Sequence, residues 1–286
     1  SYAVGRAEMA SALEPTLRAL YEEFTASRAC CYAWDCGASI RAVIQRELTT
    51  GGMHSNPPMH CALARDSDGI ARGYCLFTVK WGLFEEMKGL GHRAVDHATR
   101  SQQLHVRELV YTDIEAYRSI WSWLATVHDL VGEIYVERVP ADDPAPRIFL
   151  EPRLLHAQLH PEGTWWRVVD AKGALEARTY ECASSSTTLL LEIQDDNELC
   201  PWNSGLWELT VDGATGVAKA TRATPDDAAE AEATIGIGEL ASLLTGAVTA
   251  TYLHGCGLLQ ASDRATLDKV GAIFATRRPP FCMDRW

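Results

Sequence analysis

The sequence predicts two consecutive α+β domains, and three observations lead to that fold class. The chain has 286 residues, which exceeds one average domain and suffices for two. Segments with strand-like alternation are interspersed with segments in which apolar residues recur at helical spacing. The turn-forming residues His160-Pro161-Glu162-Gly163 mark a boundary between the halves. We therefore expect one domain at residues 1–160 and another at 161–286.

In the first half, Ser11 to Ala26 reads as an amphipathic helix with a stripe at Leu13, Leu17, Leu20, Tyr21 and Phe24. Ser11 and Glu14 have the spacing of a capping box. A second helix is expected at residues 38–48 and a first strand at 2–7. The turn Asp66-Ser67-Asp68-Gly69 joins two strand-like runs, 59–65 and 70–81, into a predicted hairpin.

The first half continues with a strand at 104–111 that runs directly into a helix beginning at Thr112. Thr112 and Glu115 again form a capping-box pattern, and Ile114, Tyr117, Trp121 and Leu124 are its expected buried stripe. A further strand is predicted at 133–139. Many α+β domains share this order of helices, hairpin and strands, so the order does not identify a family by itself.

The second half predicts a second α+β domain. Its expected strands cover residues 165–170, 187–193, 206–211, 217–221 and 230–235, and its expected helices cover 173–178, 239–244 and 263–276. Leu267, Val270, Ile273 and Phe274 are the inward face of the last helix. Pro279-Pro280 ends that helix, and a short tail, residues 281–286, closes the chain.

Composition narrows the range of functions. The net charge of −12 argues against nucleic acid, because phosphate binding needs a basic surface. An acidic surface attracts cationic ligands such as polyamines, although it also serves simple solubility. No apolar run reaches the roughly 18 residues of a membrane span, and no signal peptide is evident. Because the chain opens at Ser1, we expect a fragment or a processed protein.

The nine cysteines form neither a disulfide framework nor a zinc site, because no C-x-x-C pair is present. Reduced thiols in a cytoplasmic protein are therefore expected. Met53-His54 and Met59-His60-Cys61 contain soft metal ligands beside a Pro-Pro turn, but we expect no metal there. Ser184, Ser185 and Ser186 lack a G-x-S-x-G elbow and are expected to form a loop.

The stretch Trp165-Trp166-Arg167-Val168-Val169-Asp170, followed by Ala174 to Tyr180, resembles the domain junction of Eis-type ("enhanced intracellular survival") GNAT N-acetyltransferases. Asp142-Asp143-Pro144 and Thr224-Pro225-Asp226-Asp227-Ala228 agree with that family. The resemblance implies a GNAT-like mixed sheet with helices followed by a sterol-carrier-protein-like domain. It also implies acetyl transfer to amines of aminoglycosides, polyamines or protein lysines, and a hexameric assembly.

The family has an additional N-terminal GNAT domain that binds acetyl-CoA, and this sequence resembles the part that follows it. A GNAT domain holds the CoA pyrophosphate on a basic, glycine-rich loop before a helix. Here the strand at 104–111 enters its helix through Thr112 and Asp113, without glycine. Gly89-Leu90-Gly91 precedes that strand and follows the acidic Glu86. We therefore expect this chain to lack its own acetyl-CoA site, the cofactor domain being missing or separate.

The resemblance places the general base on the C-terminal carboxylate of Trp286. An acidic residue usually precedes the last residue in the family, whereas Arg285 stands here, and Asp284 is the expected substitute for binding a cationic acceptor. Glu162 corresponds to an acidic residue that lines the acceptor pocket. A disordered tail and an exposed linker glutamate are the alternatives for these assignments.

Two other functions stay open, and whether the chain alone is an enzyme stays open with them. The sterol-carrier-like half could bind a lipid or another apolar ligand. Alternatively, the chain could be an oligomerisation platform for a separate acetyltransferase domain.

Overall fold

A computed structural model describes residues 7–34, 59–80, 102–126, 131–157, 165–181, 185–196, 198–223 and 230–283. The chain divides into two compact units, residues 1–141 together with 281–286, and residues 142–280. This division follows Ala141, upstream of the expected boundary after His160, because the chain crosses between the units at that point and returns after Pro280. The helix expected at 38–48 lies outside the described residues.

The first unit contains a sheet with strand order β1-β2-β3-β4. Its described elements are, in chain order, α1 (Ala7–Thr25), β1 (Met59–Arg65), β2 (Ala71–Lys80), β3 (Gln103–Tyr111), α2 (Ile114–Ala125) and β4 (Glu133–Val136). The hairpin β1/β2 and the pair β2/β3 are antiparallel, whereas β3 and β4 are parallel and joined by α2. The predicted hairpin and the strand before α2 are confirmed.

Helix α1 buries most of the predicted stripe, with Leu17, Leu20, Tyr21 and Phe24 all at most 6% exposed, whereas Leu13 is only partly buried. The helix begins at Ala7, so the capping box expected at Ser11 is wrong: a residue in the interior of a helix cannot cap its start. Of the strand expected at 2–7, Ala7 is helical and residues 2–6 lie outside the described residues.

Helix α2 begins two residues later than expected, at Ile114. The carboxylate of Asp113 caps it by accepting a hydrogen bond from the Ala116 amide at 2.7 Å, while the Thr112 hydroxyl donates to the Arg72 carbonyl at 3.1 Å. The predicted Thr112–Glu115 capping box is therefore wrong. Its buried residues are Ala116, Tyr117, Ile120 and Leu124. The predicted stripe is therefore confirmed at Tyr117 and Leu124, and it is wrong at Ile114, which is 39% exposed, and at Trp121, which is only partly buried.

A glycine allows α2 to approach the sheet closely. A Cβ atom on Gly73 of β2 would lie 2.8 Å from the Val110 carbonyl oxygen and 3.3 Å from side-chain carbons of both Ala116 and Ile120. These distances are shorter than ordinary van der Waals contact. The absence of a side chain at this position therefore sets the depth at which α2 packs.

The second unit contains a sheet with strand order β7-β6-β5-β8-β9. Its described elements are α3 (Ala145–Ile148), a 3-10 turn (Pro152–Leu154), α4 (Ala171–Ala177), β5 (Thr187–Gln194), β6 (Gly205–Val211), β7 (Ala218–Arg222), β8 (Ala233–Gly236), α5 (Ile237–Thr245), α6 (Ala250–Gly255), β9 (Leu259–Ala261) and α7 (Arg264–Ile273). Strands β5 and β8 are parallel, and the other pairs are antiparallel.

The strand expected at 165–170 is wrong, because this segment joins no sheet and leads directly to α4. The remaining predicted strands and the helices α4, α5 and α7 are confirmed to within a few residues. Sequence reasoning missed the short elements α3, α6 and β9. The predicted inward face of α7 is confirmed, since Leu267, Val270, Ile273 and Phe274 are all buried.

Arg178 ties together several parts of the second unit. Its guanidinium donates hydrogen bonds to the carbonyls of Leu243, Phe274 and Ala275 and lies over the ring of Tyr180. Burial lowers the pKa of Arg178 and raises the pKa of Tyr180 to about 12. The C-terminal ends of α5 and α7 are thus held by one side chain.

Candidate functional site

The described part of the tail, Phe281 to Met283, packs on the first unit rather than on the unit that precedes it in sequence. The Phe281 amide donates to the Ala29 carbonyl at 3.1 Å, and the Cys31 thiol donates to the Phe281 carbonyl at 2.9 Å. The Phe281 ring meets the Phe24 ring edge-on, with centroids 6.4 Å apart. The backbone and the side chain of Phe281 therefore both anchor the tail.

The residues next to Phe281 are also held. Arg138, which follows β4, donates from its guanidinium to the Cys282 carbonyl at 3.2 Å. Upstream, within the second unit, Arg278 forms an ion pair with Asp142 at 3.1 Å. The Pro279-Pro280 step between these contacts is stiff, because proline fixes its own φ. The residues on either side of the Pro279-Pro280 step are thus each held within their own unit.

The structure leaves the three predicted site residues untested. Asp284 and Trp286 lie beyond Met283, the last described residue, and Glu162 lies between the described residues Ala157 and Trp165. Their assigned roles stay predictions. The structure places Met283, directly before Asp284, and the chain from Trp165 onward, shortly after Glu162.

The segment after Glu162 is anchored by an ion pair. Arg167 donates to both carboxylate oxygens of Asp195, at 2.8 and 2.9 Å, and the side chain of Asp195 is only 2% exposed. These hydrogen bonds raise the pKa of Arg167. By contrast, Trp165 and Trp166 are 85% and 52% exposed. The Arg167–Asp195 ion pair therefore holds the segment that carries these two exposed indole rings.

Asn203 extends this network into the core. It is fully buried, its amide donates to Asp195 at 2.9 Å, and its side-chain oxygen accepts the Ala171 amide at 2.9 Å. Its main-chain carbonyl accepts from the Trp207 indole at 2.9 Å. A buried polar cluster that is this well satisfied orients its members strongly. It fixes the start of α4, and with it the segment that carries Trp165 and Trp166.

By the family resemblance, the junction of β3 and α2 is the expected place of a phosphate-binding loop. Here the carboxylate of Asp113 fills the helix N-terminus by capping the Ala116 amide. A helix N-terminus attracts anions because its free N–H groups and its dipole are both positive. The Asp113 carboxylate already satisfies that preference and would repel a phosphate.

The other sequence candidates have structural roles. His60 stacks on Phe77, with ring centroids 5.3 Å apart, and burial raises the pKa of the Cys61 thiol to about 12. Within the described ranges, no group of His, Cys, Asp or Glu has the arrangement of a metal site. The Ser186 hydroxyl accepts a hydrogen bond from the Gly213 amide at 3.3 Å. Met53, His54 and Ser184 lie outside the described residues.

Sequence reasoning missed the residues that position the tail and the Trp165 segment. Arg138 and Phe281 act across long sequence separations, 144 residues in the case of Arg138 and Cys282. Asn203 lies in a turn before β6 and carries no motif. The only signal in the sequence was Phe281, an apolar aromatic residue directly after Pro279-Pro280.

Two family models match the chain in succession. The model for the acetyltransferase (GNAT) domain matches residues 39–172, and the model for the sterol carrier protein domain matches residues 171–283. The two matches adjoin at the start of α4. Among the described residues, no helix combines the length and the apolar character needed to cross a bilayer.

Curated proteins of similar sequence are named as N-acetyltransferases. An uncharacterised N-acetyltransferase of Streptomyces avermitilis is 28% identical over 204 residues, which are 70% of this chain and 46% of that protein. N-acetyltransferase Eis of Mycobacterium tuberculosis is 29% identical over 179 residues, 61% of this chain and 39% of that protein. The chain thus spans less than half the length of these curated relatives.

The crystal structure of a GCN5-related N-acetyltransferase from Anabaena variabilis superimposes with a TM-score of 0.67 at 24% identity. The superposition covers 95% of this chain and 60% of that one. The predicted fold class, α+β with a GNAT-like mixed sheet followed by a sterol-carrier-protein-like domain, is confirmed.

Proposed function

Because the chain belongs to the Eis-type GNAT N-acetyltransferase family, we propose that it supplies the acceptor-binding and general-base side of acetyl transfer to an amine. The observation that carries this proposal is the return of the tail to the first unit at Phe281. Hydrogen bonds to Phe281 and Cys282 hold the chain just before Asp284, and a catalytic group near the end of the tail would need such positioning.

The proposed base is the main-chain carboxylate of Trp286. Three residues follow Met283, and an extended chain covers at most about 3.6 Å per residue. The carboxylate is therefore tethered within roughly 11 Å of an anchored segment. An α-carboxylate has an ordinary pKa of roughly 3.3–3.7, so it takes up a proton from an ammonium effectively only where acidic neighbours or burial raise that pKa.

In the proposed reaction this base removes a proton from the ammonium of the acceptor. The freed nitrogen attacks the thioester carbonyl and a C–N bond forms. The C–S bond then breaks, the nitrogen gives up its second proton, and the departing thiolate takes up a proton to leave as the thiol. We assign binding of the cationic acceptor to the carboxylates of Glu162 and Asp284. The acceptor class is an aminoglycoside, another polyamine or a protein lysine, and the net charge of −12 favours such cations through long-range attraction.

We assign acetyl-CoA binding to a polypeptide segment other than this chain. The capping of α2 by Asp113 supports the assignment, because a carboxylate holds the position where phosphate would bind. The excess length of the relatives agrees with a further domain in those proteins. We also propose the cytoplasmic location and the hexameric assembly that the family resemblance implies.

The first test is calorimetric titration of the purified chain with acetyl-CoA and, separately, with an aminoglycoside. We expect binding of the aminoglycoside and no binding of acetyl-CoA. Micromolar binding of acetyl-CoA would overturn the assignment of the cofactor to another segment. Lipid that co-purifies in native mass spectrometry, without aminoglycoside binding, would favour the apolar-ligand alternative.

The base is tested by acetylation of the aminoglycoside when the chain is combined with an acetyl-CoA-binding domain of the family. Removal of Trp286 shifts the terminal carboxylate by one residue, and we expect turnover to fall by at least the 10²-fold that general base catalysis typically contributes. Trp286→Phe is the matched control, since it retains the carboxylate and an aromatic ring. Equal turnover in the shortened chain would refute the role of the carboxylate.

A further inference from the structure

Two segments of the second unit lie side by side and carry exposed apolar side chains. One precedes α4 and the other joins β5 to β6. The Trp202 indole donates to the Val169 carbonyl at 2.8 Å, and the Ala171 amide donates to the Asn203 side chain at 2.9 Å. The exposed apolar residues of the two segments, which we call the indole surface, are Trp165, Trp166, Val169, Leu199 and Trp202, all between 51% and 85% exposed.

The indole surface is large and its support is rigid. From the exposed fractions of its three tryptophans, 85%, 52% and 51%, the rings present roughly 300–450 Å² of aromatic surface, which is the size of apolar patches that often bind partners. The hydrogen bond from Trp202 to Val169 orients one ring, and the fully buried Asn203 lies next to it in the chain. Tryptophans that are oriented in advance are typical anchors of binding surfaces, because little freedom is lost when a partner binds.

The charges beside the indole surface are predominantly negative. Two cations of these segments, Arg167 and Lys172, are each paired with a carboxylate, at 2.8 and 4.0 Å. Arg222 adds one positive charge and donates to the Trp202 carbonyl at 3.4 Å. Against it stand three exposed carboxylates that form no ion pair with any residue that the structure describes, namely Asp170, Asp196 and Glu198. The local charge therefore favours a cationic partner.

This combination of indoles and carboxylates distinguishes between possible occupants. A second copy that bound through a two-fold axis would bring the same carboxylates face to face, which is unfavourable. An anionic membrane would be repelled for the same reason. A lysine or arginine side chain, in contrast, is attracted by the carboxylates and is stabilised over the face of an indole.

We propose that the indole surface docks a basic peptide segment of another protein, in which lysine or arginine residues alternate with apolar residues. The cations lie over the indoles and beside Asp196 and Glu198, and the apolar side chains of the segment bury the exposed rings. This inference does not depend on the proposed acetyl transfer, because docking needs neither acetyl-CoA nor turnover.

The probe is a short fluorescein-labelled peptide of alternating lysine and leucine, titrated with the full chain while its fluorescence anisotropy is recorded. We expect binding that weakens as salt is added, because exposed charges are screened. A peptide with serine in place of leucine should bind about ten-fold or more weakly, since it buries no apolar surface. A peptide with glutamate in place of lysine should not bind. Absence of binding by the lysine–leucine peptide, or equal binding of the glutamate peptide, would overturn the proposal.

Variants locate the binding on the indole surface, because an acidic chain attracts any basic peptide to some degree. Trp165→Ala, at a side chain that is 85% exposed, should weaken binding by about ten-fold, and Glu198→Gln should weaken it by about two- to five-fold. The matched controls remove an exposed ring and an exposed charge elsewhere in the same unit: Tyr252→Ala in α6 and Glu230→Gln before β8. Both controls should bind as the native chain does.

Three outcomes contradict the docking of a basic segment. Trp165→Ala that binds as tightly as Tyr252→Ala would show that the attraction is general rather than local. Light scattering that detects dimers lost in Trp165→Ala, without peptide binding, would assign the surface to a second copy. Flotation with phosphatidylcholine vesicles that requires Trp165, again without peptide binding, would assign it to a lipid surface.

Discussion

Replacing Arg167 by alanine should destabilise the second unit, because it removes the hydrogen bonds that Arg167 donates to both oxygens of the Asp195 carboxylate. The side chain of Asp195 is 2% exposed, whereas that of Arg167 is 40% exposed, so water reaches the pair and the cost stays below that of a fully buried ion pair. A buried polar group that loses a hydrogen-bond partner costs about 1–3 kcal/mol. We therefore expect that loss, about 1–3 kcal/mol for the Asp195 carboxylate, in the free energy of unfolding of this unit.

The unequal burial of the two partners predicts an unequal response. In Asp195→Ala the guanidinium of Arg167 turns to water, and the main cost is the unsatisfied amide of Asn203, about 1–3 kcal/mol. The double variant Arg167→Ala/Asp195→Ala should consequently be more stable than Arg167→Ala alone. Both hydrogen bonds come from one nitrogen of Arg167, Nη2. Arg167→Lys keeps the charge and a terminal nitrogen on a shorter side chain, so its effect should be smaller than that of Arg167→Ala.

The measurement is hydrogen exchange of the β5 amides of Leu189 and Leu191, because it reports the second unit separately from the first. A factor of ten in exchange corresponds to about 1.4 kcal/mol, so Arg167→Ala should accelerate exchange roughly five-fold to a hundred-fold. Exchange that is unchanged in Arg167→Ala, or a double variant less stable than the single one, would refute the reasoning from buried charge.

Three further predictions test packing and electrostatics in each unit. Gly73→Ala places a methyl group against the Val110 carbonyl and should cost about 1–3 kcal/mol in thermal unfolding; an unaltered Tm would contradict the close approach of α2. Gly246→Ala, at a left-handed C-cap (φ 76°) facing Thr276, should cost about 1–2 kcal/mol, whereas Gly238→Ala, with open space around its Cβ, should be neutral or stabilising by up to about 1 kcal/mol. Burial opposes ionisation of Glu232, yet hydrogen bonds from Lys269 and the Leu190 amide outweigh it and hold the pKa of Glu232 below its ordinary 4.5. Its stabilising effect is therefore complete above pH 4.5 and is lost as the pH falls through the lowered value, so acid unfolding of Glu232→Gln should show a weaker pH dependence there than that of the native chain.

Local chemistry was sufficient to predict the hairpin of the first unit. Asp66 accepts the amides of Asp68 and Ile70, and Gly69 has a φ of 80°, as expected for the residues that this turn contains. The inward face of α7 was predictable for a similar reason, because apolar residues at helical spacing have only one way to be buried together.

The segment at 165–170 shows why alternation alone can mislead. Its pattern resembles a strand, but its polar groups are satisfied by side chains: the Trp202 indole donates to the Val169 carbonyl at 2.8 Å, and Arg167 reaches Asp195. These partners are distant in sequence, so the spacing of residues within the segment does not predict them. The short elements α6 and β9 were missed because three to six residues carry too little periodicity to detect.

The candidate site was predictable only as far as the resemblance reached. Trp286, Glu162 and Asp284 were chosen because they match family positions, and their roles remain predictions. That the tail would dock beside Ala29 could not be predicted, because a contact across 250 residues leaves no local pattern. The structure therefore shows how Phe281 is anchored, whereas the roles of the residues that follow it come from the family resemblance.

The docking of the tail has a consequence for how the chain folds. A polypeptide leaves the ribosome N-terminus first, so the first unit cannot be completed until its last residues have been synthesised. Closing so long a loop costs entropy that grows with the logarithm of its length. The ion pair between Asp142 and Arg278 brings the two ends of the second unit together, so prior folding of that unit shortens the effective loop. The unit encoded later should therefore fold first, and the tail should add the final contacts to the unit encoded earlier.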